Sequence, residues 1–338
     1  MREQVRGRVE RRDGEGDARR GPVGEGGGAG AARPSGDGQG VPADLPGLGG
    51  AHGERVGDAV DLTAPVLERL AQFEGEEPGE TVAVLGGGAT GDAVARAAGA
   101  KRLVLELGGN AATIVCADAD VAEAARICAR TGYSNSGQSC ISVQRVYVHR
   151  SRFEEFLGLF TGHVESLTVG DPLDPATDVG AMVDEDAAER VVRWSAEAAE
   201  AGGRVLTGGT RDGATAMPTV VADPPASCSV VAEEVFGALV AVLPFDDLDR
   251  VIEQCNESRY GLQAGLFTQD MDRIITAWRD LEVGGLVVNG SSNFRLDHVP
   301  FGGVKDSGFG RESPRCMIDD YTVVKTMMLR GTSLWGTE

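Results

Sequence analysis

The chain has 338 residues, 41% of them apolar, enough to fill the cores of about two domains. Its 52 acidic and 32 basic residues leave a formal charge of −20, which repels a phosphate backbone and argues against nucleic-acid binding. No apolar run approaches the ~18 residues of a membrane span and no signal-peptide core opens the chain, so a soluble, cytoplasmic protein without a membrane partner is expected.

Residues 1–58 hold few aromatic or β-branched side chains, and 17 of the chain's 49 glycines fall in the first 60 positions. Such a segment buries too little apolar area to offset its ordering entropy, and a flexible tail is expected. Leu62, Val66, Leu67 and Leu70 place a short amphipathic helix between Asp61 and Phe73. Thr81 to Leu85 reads as a strand, followed by a glycine turn at 86–91 and a helix from Asp92 to about Ala98. Gly86, Gly88 and Gly91 fit Gly-x-Gly-x-x-Gly, a weak pattern that gains from its strand-to-helix setting, where glycines let backbone N–H groups approach a phosphate.

Leu103 to Leu107 has a buried-strand pattern and carries Glu106 to a Gly108-Gly109 turn, where a carboxylate can face a cleft. A strand at Thr113 to Cys116 leads to a helix capped by Asp120, with Val121, Ala124, Ala125 and Cys128 on its apolar face. That helix delivers the chain to Tyr133-Ser-Asn-Ser-Gly-Gln-Ser-Cys140, a polar turn ahead of the strand Val143 to His149. Cys140 is the candidate nucleophile, although a cysteine is more often a small core hydrophobe. A free thiol of pKa ~8.5 is only a few per cent ionised at neutral pH, so a base or aligned amides should raise that fraction, and Glu106 is the nearest candidate base.

Further on, Ser151-Arg152-Phe153-Glu154 reads as a capping box opening a helix with Phe153, Phe156, Leu157 and Phe160 on its core face. A turn-rich loop at 169–175 precedes a helix from Glu185 to Ala201 that stops at Gly202-Gly203. Glu233-Glu234-Val235-Phe236-Gly237, by itself a solvated loop edge, precedes a strand from Leu239 to Leu243. Helices around Leu248 to Cys255 and Met271 to Leu281, with strands at Ala264 to Thr268 and Gly285 to Asn289, continue an α/β alternation. Tyr321 to Leu329 is a strand-like run that needs a partner for its backbone groups. The six cysteines have no Cys-x-x-Cys spacing and do not pair with the four histidines at zinc-ligand intervals, so neither a metal site nor a disulfide framework is expected.

Four motifs, Leu-Glu-Leu-Gly-Gly-Asn at 105–110, Asn-Ser-Gly-Gln-Ser-Cys at 135–140, Glu-Glu-Val-Phe-Gly at 233–237 and Pro-Phe-Gly-Gly-Val-Lys-Asp-Ser-Gly at 300–308, occur in this order. Together they resemble the aldehyde dehydrogenase superfamily over roughly residues 86–329. The resemblance implies an α/β fold with part of a Rossmann-type cofactor domain at 59–108, a catalytic domain at 109–318 and an oligomerisation strand with its tail at 319–338. It implies Cys140 as nucleophile and Glu106 as the base for thioester hydrolysis, the presence of that glutamate favouring hydrolysis over transfer to coenzyme A. Gly86, Gly87, Gly91 and Leu107 would lie beside NAD or NADP, Glu234 would hold the nicotinamide-side ribose hydroxyls, and Phe236 would pack near them. A dimer or tetramer of like chains follows from the terminal strand, an edge strand within one chain being the alternative.

Departures from the family accompany the match. Val84-Leu85-Gly86-Gly87 stands where members usually read Phe-Thr-Gly-Ser, Ala238 replaces a proline, and the Asn-Phe-Pro element that supplies an oxyanion donor has no counterpart here. Members also carry a long cofactor-binding half before Leu105, so residues 1–58 read equally as a natural tail or as sequence translated out of frame. Three functions stay open: NAD(P)-dependent oxidation of a small aldehyde, a truncated remnant acting in association or binding, and a cofactor-independent thioesterase or esterase. The loop 293–300 resembles that of members acting on small polar aldehydes of lactaldehyde and phosphonoacetaldehyde type. Arg295 in that loop suits a carboxylate or phosphonate on the substrate, or else pairs with Asp297 or another acid.

Overall fold

A computed structural model describes residues 81–330, together with a short antiparallel pair, Arg55–Val56 and Ala59–Val60. The rest of the expected tail and the helix at 61–73 lie outside the described residues. The largest element is a seven-stranded sheet. In chain order its strands are β3 (Ala112–Val115), β4 (Arg145–His149), β5 (Arg204–Thr207), β6 (Thr219–Ala222), β7 (Leu239–Phe245), β8 (Gln263–Phe267) and β9 (Gly285–Val288). They lie side by side in the order β9-β8-β3-β4-β7-β6-β5, every neighbouring pair parallel except the edge pair of β5 with β6. Helices cover both faces of such a sheet, which is why its central strands read as unbroken apolar runs such as Leu239-Val-Ala-Val-Leu243.

A smaller sheet has β2 (Arg102–Glu106) at its centre, parallel to β1 (Thr81–Leu85) and antiparallel to β10 (Gly308–Phe309). Gly308 stands opposite Glu106 with φ +107, and a Cβ there would lie 1.9 Å from the Leu105 carbonyl oxygen, so only glycine fits. This contact fastens the loop from Pro300 to Ser307 beneath the end of β2. Helix α1 (Gly88–Ala98) connects β1 to β2.

Helix α2 (Val121–Tyr133) is capped as the sequence predicts, the Asp120 side chain accepting from the Glu123 N–H. It packs on α3 (Phe153–Glu165), where the Phe156 and Phe160 rings stack at 5.4 Å and Tyr133 meets Phe160 at 6.4 Å. Cys128, Phe153, Phe156, Leu157 and Phe160 are buried, as expected of core residues. The capping box expected at Ser151 does not form. Ser151 lies in a single 3-10 turn with its hydroxyl 2.9 Å from His149 Nδ1, a local bond that competes for the cap, and α3 opens at Phe153 without a side-chain cap.

Two further boundaries differ from expectation. Helix α1 begins at Gly88 rather than Asp92, because the Gly91 N–H already donates to the Gly87 carbonyl at 3.0 Å. At the other end, helix α4 (Pro314–Tyr321) absorbs Tyr321, and residues 322–330 form no strand. Val323, Val324, Met327 and Met328 are 77–93% exposed, so this run is not an edge strand within the chain.

The buried Tyr133 hydroxyl donates to the Thr219 carbonyl at 2.7 Å and ties the end of α2 to β6. Tyr133→Phe should therefore cost about 1–3 kcal/mol in a urea unfolding midpoint, since the carbonyl loses that donor inside the core. Val324→Ser, on the exposed tail, should change the midpoint by no more than about 0.5 kcal/mol.

Candidate active site

The backbone of one residue, Gly109, brings three distant segments together. The Gly109 N–H donates to Glu234 Oε1 at 2.8 Å, and its carbonyl accepts from Gln144 Nε2 at 2.9 Å. A Cβ on Gly109 would stand 2.2 Å from the Cys140 carbonyl oxygen, so glycine is what allows the turn after β2 to touch the cysteine loop. Gln144 Oε1 in turn accepts from the Val235 N–H at 2.7 Å. The polar side chain buried at the start of β4 thus spans the gap between the 105–110 and 233–237 segments.

Cys140 follows a 3-10 turn, Ser134–Gly137, in which Asn135, Ser136 and Gly137 are consecutively left-handed with φ of 52°, 56° and 73°. Non-glycine residues in that region cost of order 1 kcal/mol or more each, so the surroundings must hold them. Ser136 Oγ donates to the Gly180 carbonyl at 2.9 Å, and Gln138 Oε1 accepts from the Val183 N–H at 2.9 Å. On the other side Asn293 Nδ2 donates to the Thr131 carbonyl at 2.9 Å and Ser292 Oγ to the Ile141 carbonyl at 2.9 Å. The turn is therefore clamped from both flanks.

The half-buried Cys140 opens on a cavity of about 1270 Å³ that is also lined by Gly86, Gly87, Glu106, Leu107, Glu234, Phe236 and Arg295. Of the residues expected to react or to lie beside the substrate or cofactor, Gly91 alone is not in this wall. It sits in the first turn of α1, where a Cβ would fall 2.4 Å from Leu107 Cδ1, and its N–H is spent on Gly87. Close helix-to-strand packing is the task of a third fingerprint glycine, and Gly91 packs against Leu107 in that way. Phe236 faces the cavity from a left-handed position, φ 45°, and is 38% exposed.

The electrostatics are dominated by burial and by acid against acid. Glu106 is 5% exposed and neither carboxylate oxygen has a hydrogen-bond partner. Burial, then the charge of Glu312, raise its pKa from 4.5 to about 7 against the opposing charges of Arg295 and Arg311. Burial, Glu234 and Glu106 push the Cys140 thiol from 9.0 to about 11, so the expectation that the surroundings enrich the thiolate is reversed. Burial also raises Glu234, an effect the Gly109 N–H opposes. Arg295 pairs with Glu312 at 2.8 Å, not with Asp297, and its guanidinium lies 4.5 Å from the centre of the Phe301 ring.

Gln144, Arg190, Arg259 and Glu312 belong to the site or its support but were not singled out from the sequence. Arg190 lines the cavity beside Glu234 and donates to the Val235 carbonyl at 3.2 Å. Gln144 had a signal in the sequence, a polar residue inside the strand run Val143-Gln-Arg-Val146. Among the described residues no group of three or more His, Cys, Asp or Glu side chains is placed to hold a metal ion, and no helix is long and apolar enough to cross a membrane.

The sequence model of the aldehyde dehydrogenase family matches residues 71–327. A 3-sulfolactaldehyde dehydrogenase of Priestia megaterium is 44% identical over 239 residues, 71% of this chain and 50% of that protein. A lactaldehyde dehydrogenase of Methanococcus aeolicus is 35% identical over 239 residues, 71% of this chain and 51% of that protein. The crystal structure of glyceraldehyde-3-phosphate dehydrogenase GapN from Methanocaldococcus jannaschii, complexed with NADP, superposes with a TM-score of 0.71 at 34% identity, over 73% of this chain and 54% of that one. This chain spans about half the length of the curated relatives it matches.

Folded Glu106 keeps its proton up to about pH 7, whereas a free carboxyl releases it near 4.5. The folded state therefore binds more protons between those values and loses stability as pH rises through them. Glu106→Gln should raise the urea midpoint above pH 7, by on the order of 3 kcal/mol at most, and give no gain below pH 4. Midpoints measured at pH 4, 6 and 8 would show an absent pH trend if the carboxyl were not held protonated.

Proposed function

Because the chain belongs to the aldehyde dehydrogenase family, we propose that it oxidises a small anionic aldehyde to the acid with NAD(P) through a thioester on Cys140. The observation that carries this reading is the convergence of Cys140, Glu106, Glu234 and Arg295 on one cavity. Its volume of about 1270 Å³ exceeds what a small aldehyde needs and leaves room for a cofactor. The edge of that cavity at Gly87 is open, with nothing within 4 Å of an added Cβ, and the Glu234 carboxylate is presented into it from its bond to Gly109. These features fit the nicotinamide end of NAD(P), with Gly86, Gly87, Leu107, Glu234 and Phe236 as the holding residues. When bound, the cofactor would supply the hydride acceptor.

The chain's own groups do the rest. The Cys140 sulfur adds to the aldehyde carbon as its proton leaves for a base, and the Cys140 N–H would serve as a donor to the oxygen that gains charge. After hydride loss the carbon is a thioester on Cys140. Glu106, its oxygens unpartnered and its pKa near neutrality, takes a proton from the water that cleaves the thioester, releasing the acid and the thiol.

Arg295 supports the anionic substrate class, since its fork of donors faces the same cavity as the thiol. Relatives named as dehydrogenases of 3-sulfolactaldehyde, sulfoacetaldehyde and aspartate semialdehyde are 44%, 32% and 36% identical. The exposed apolar run at 323–329 supports pairing with a second copy of the chain.

NADP titration by intrinsic fluorescence should show saturable binding; none would sink the dehydrogenase reading in favour of a remnant or an esterase. Cys140→Ser should abolish reduced-cofactor formation while the unfolding midpoint stays near the parent's. Glu106→Gln should slow deacylation by ~100-fold or more and leave hydride transfer faster than turnover, so stopped flow should show a burst of reduced cofactor.

Arg295→Ala should lower kcat/KM for an anionic aldehyde by about 10- to 100-fold and hardly change it for propanal. Equal losses on both substrates would make Arg295 a support for its loop.

A further inference from the structure

Arg295 is not free in the cavity wall. Its Nη2 donates to Glu312 Oε2 at 2.8 Å, and the Glu312 side chain is itself only 20% exposed. Glu312 cannot drift from this position with a mobile loop. Its N–H donates to the Phe301 carbonyl at 2.6 Å and its carbonyl accepts from the Phe301 N–H at 2.8 Å, the same Phe301 whose ring lies against Arg295. Glu312 and Arg295 both line the cavity that holds Cys140.

The other cavity arginines are differently placed. Arg190 is bonded to the Val235 carbonyl, and Arg259 lies over the Tyr260 ring and donates to its hydroxyl at 2.9 Å. Both act on Glu234, whereas Arg295 is the arginine whose charge reaches Cys140 as well as Glu106. An anion beside Cys140 therefore competes with Glu312 for Arg295.

Resting on the reading of Arg295 as receiver of the substrate's anion, we propose that Glu312 is a specificity-determining residue. Its carboxylate is a built-in counter-anion on Arg295, and a substrate anion binds by competing with it for the guanidinium. Anionic groups able to share the guanidinium with Glu312, or to hold it more strongly, pass this filter, and a neutral substrate leaves the pair intact. The selectivity of the site for charge is then set by the exchange and not by Arg295 alone.

Alkylation of Cys140 tests this without cofactor or turnover, so dehydrogenase activity and the anion exchange can fail separately. Iodoacetate and iodoacetamide are nearly the same size; in each the thiolate sulfur displaces iodide from carbon, and only the first carries a carboxylate. Rates at Cys140 are read by mass spectrometry of its peptide in the full chain at pH 9, with Cys316 as an internal control. The iodoacetate-to-iodoacetamide ratio cancels any change in thiol ionisation. It should rise about tenfold in Glu312→Gln and fall about tenfold in Arg295→Ala. In the double variant the Glu312 substitution should have little further effect, because its action runs through Arg295. Glu312→Asp, which keeps the charge but withdraws it by one methylene, should raise the ratio part of the way. An equal rise from Glu312→Gln with and without Arg295, or no rise in either Glu312 variant, would overturn the exchange. An unchanged ratio in Arg295→Ala would overturn it together with the reading of Arg295 as the anion's seat.

Discussion

The absence of a side chain at position 109 is the constraint on which the site depends. A methyl group there would collide with the Cys140 carbonyl at 2.2 Å, and moving it away would break the bonds that the backbone of the same residue makes to Glu234 and Gln144. Segments more than a hundred residues apart in sequence are held in register by one backbone unit and one buried amide side chain. Gln144 is 1% exposed, and both ends of its amide are used, so it is a satisfied buried polar group that specifies geometry rather than a liability.

Around that fixed point the fold collects negative charge. Glu106, Glu234 and Glu312 line one cavity in a chain that is already strongly acidic, and their charges add to the burial that moves the pKa values of Glu106 and Cys140 up. A packed apolar wall would be more stable than an unpartnered carboxyl such as Glu106. Its retention beside a thiol is the kind of local cost that a reacting site carries and that the large sheet offsets.

Most of the sheet was legible because its strands are buried on both faces and its helices carry apolar stripes, both of which periodicity reads directly. The helix caps at Asp120 and the core positions at Phe156 and Phe160 followed from local chemistry alone. Failures came where a nearby partner changed the local choice. Ser151 turned to an imidazole, and Gly91 served packing against Leu107, a contact that no pattern of glycines discloses. At the site, Cys140 and Glu106 were visible as motifs, but the sign of the field on the thiol was not. It depends on Glu234, nearly a hundred residues later, and on depth of burial, neither of which spacing can give. Glu312 went unnoticed for the same reason, since only the backbone pairing with Phe301 brings it to Arg295.

The high pKa of the Cys140 thiol bears on its chemical durability. Oxidation by peroxide begins at the thiolate and proceeds through sulfenic acid to states that are not reversed. At about 11, the resting sulfur carries its proton in all but a small fraction of molecules at cellular pH, so the burial and the acidic wall that slow the nucleophile also shelter it. The buried Cys128 and Cys255, whose thiols burial also holds above their usual value, are sheltered by exclusion from solvent. At Cys140, which must stay open to small molecules, partial burial is joined in that protection by the charges of Glu234 and Glu106.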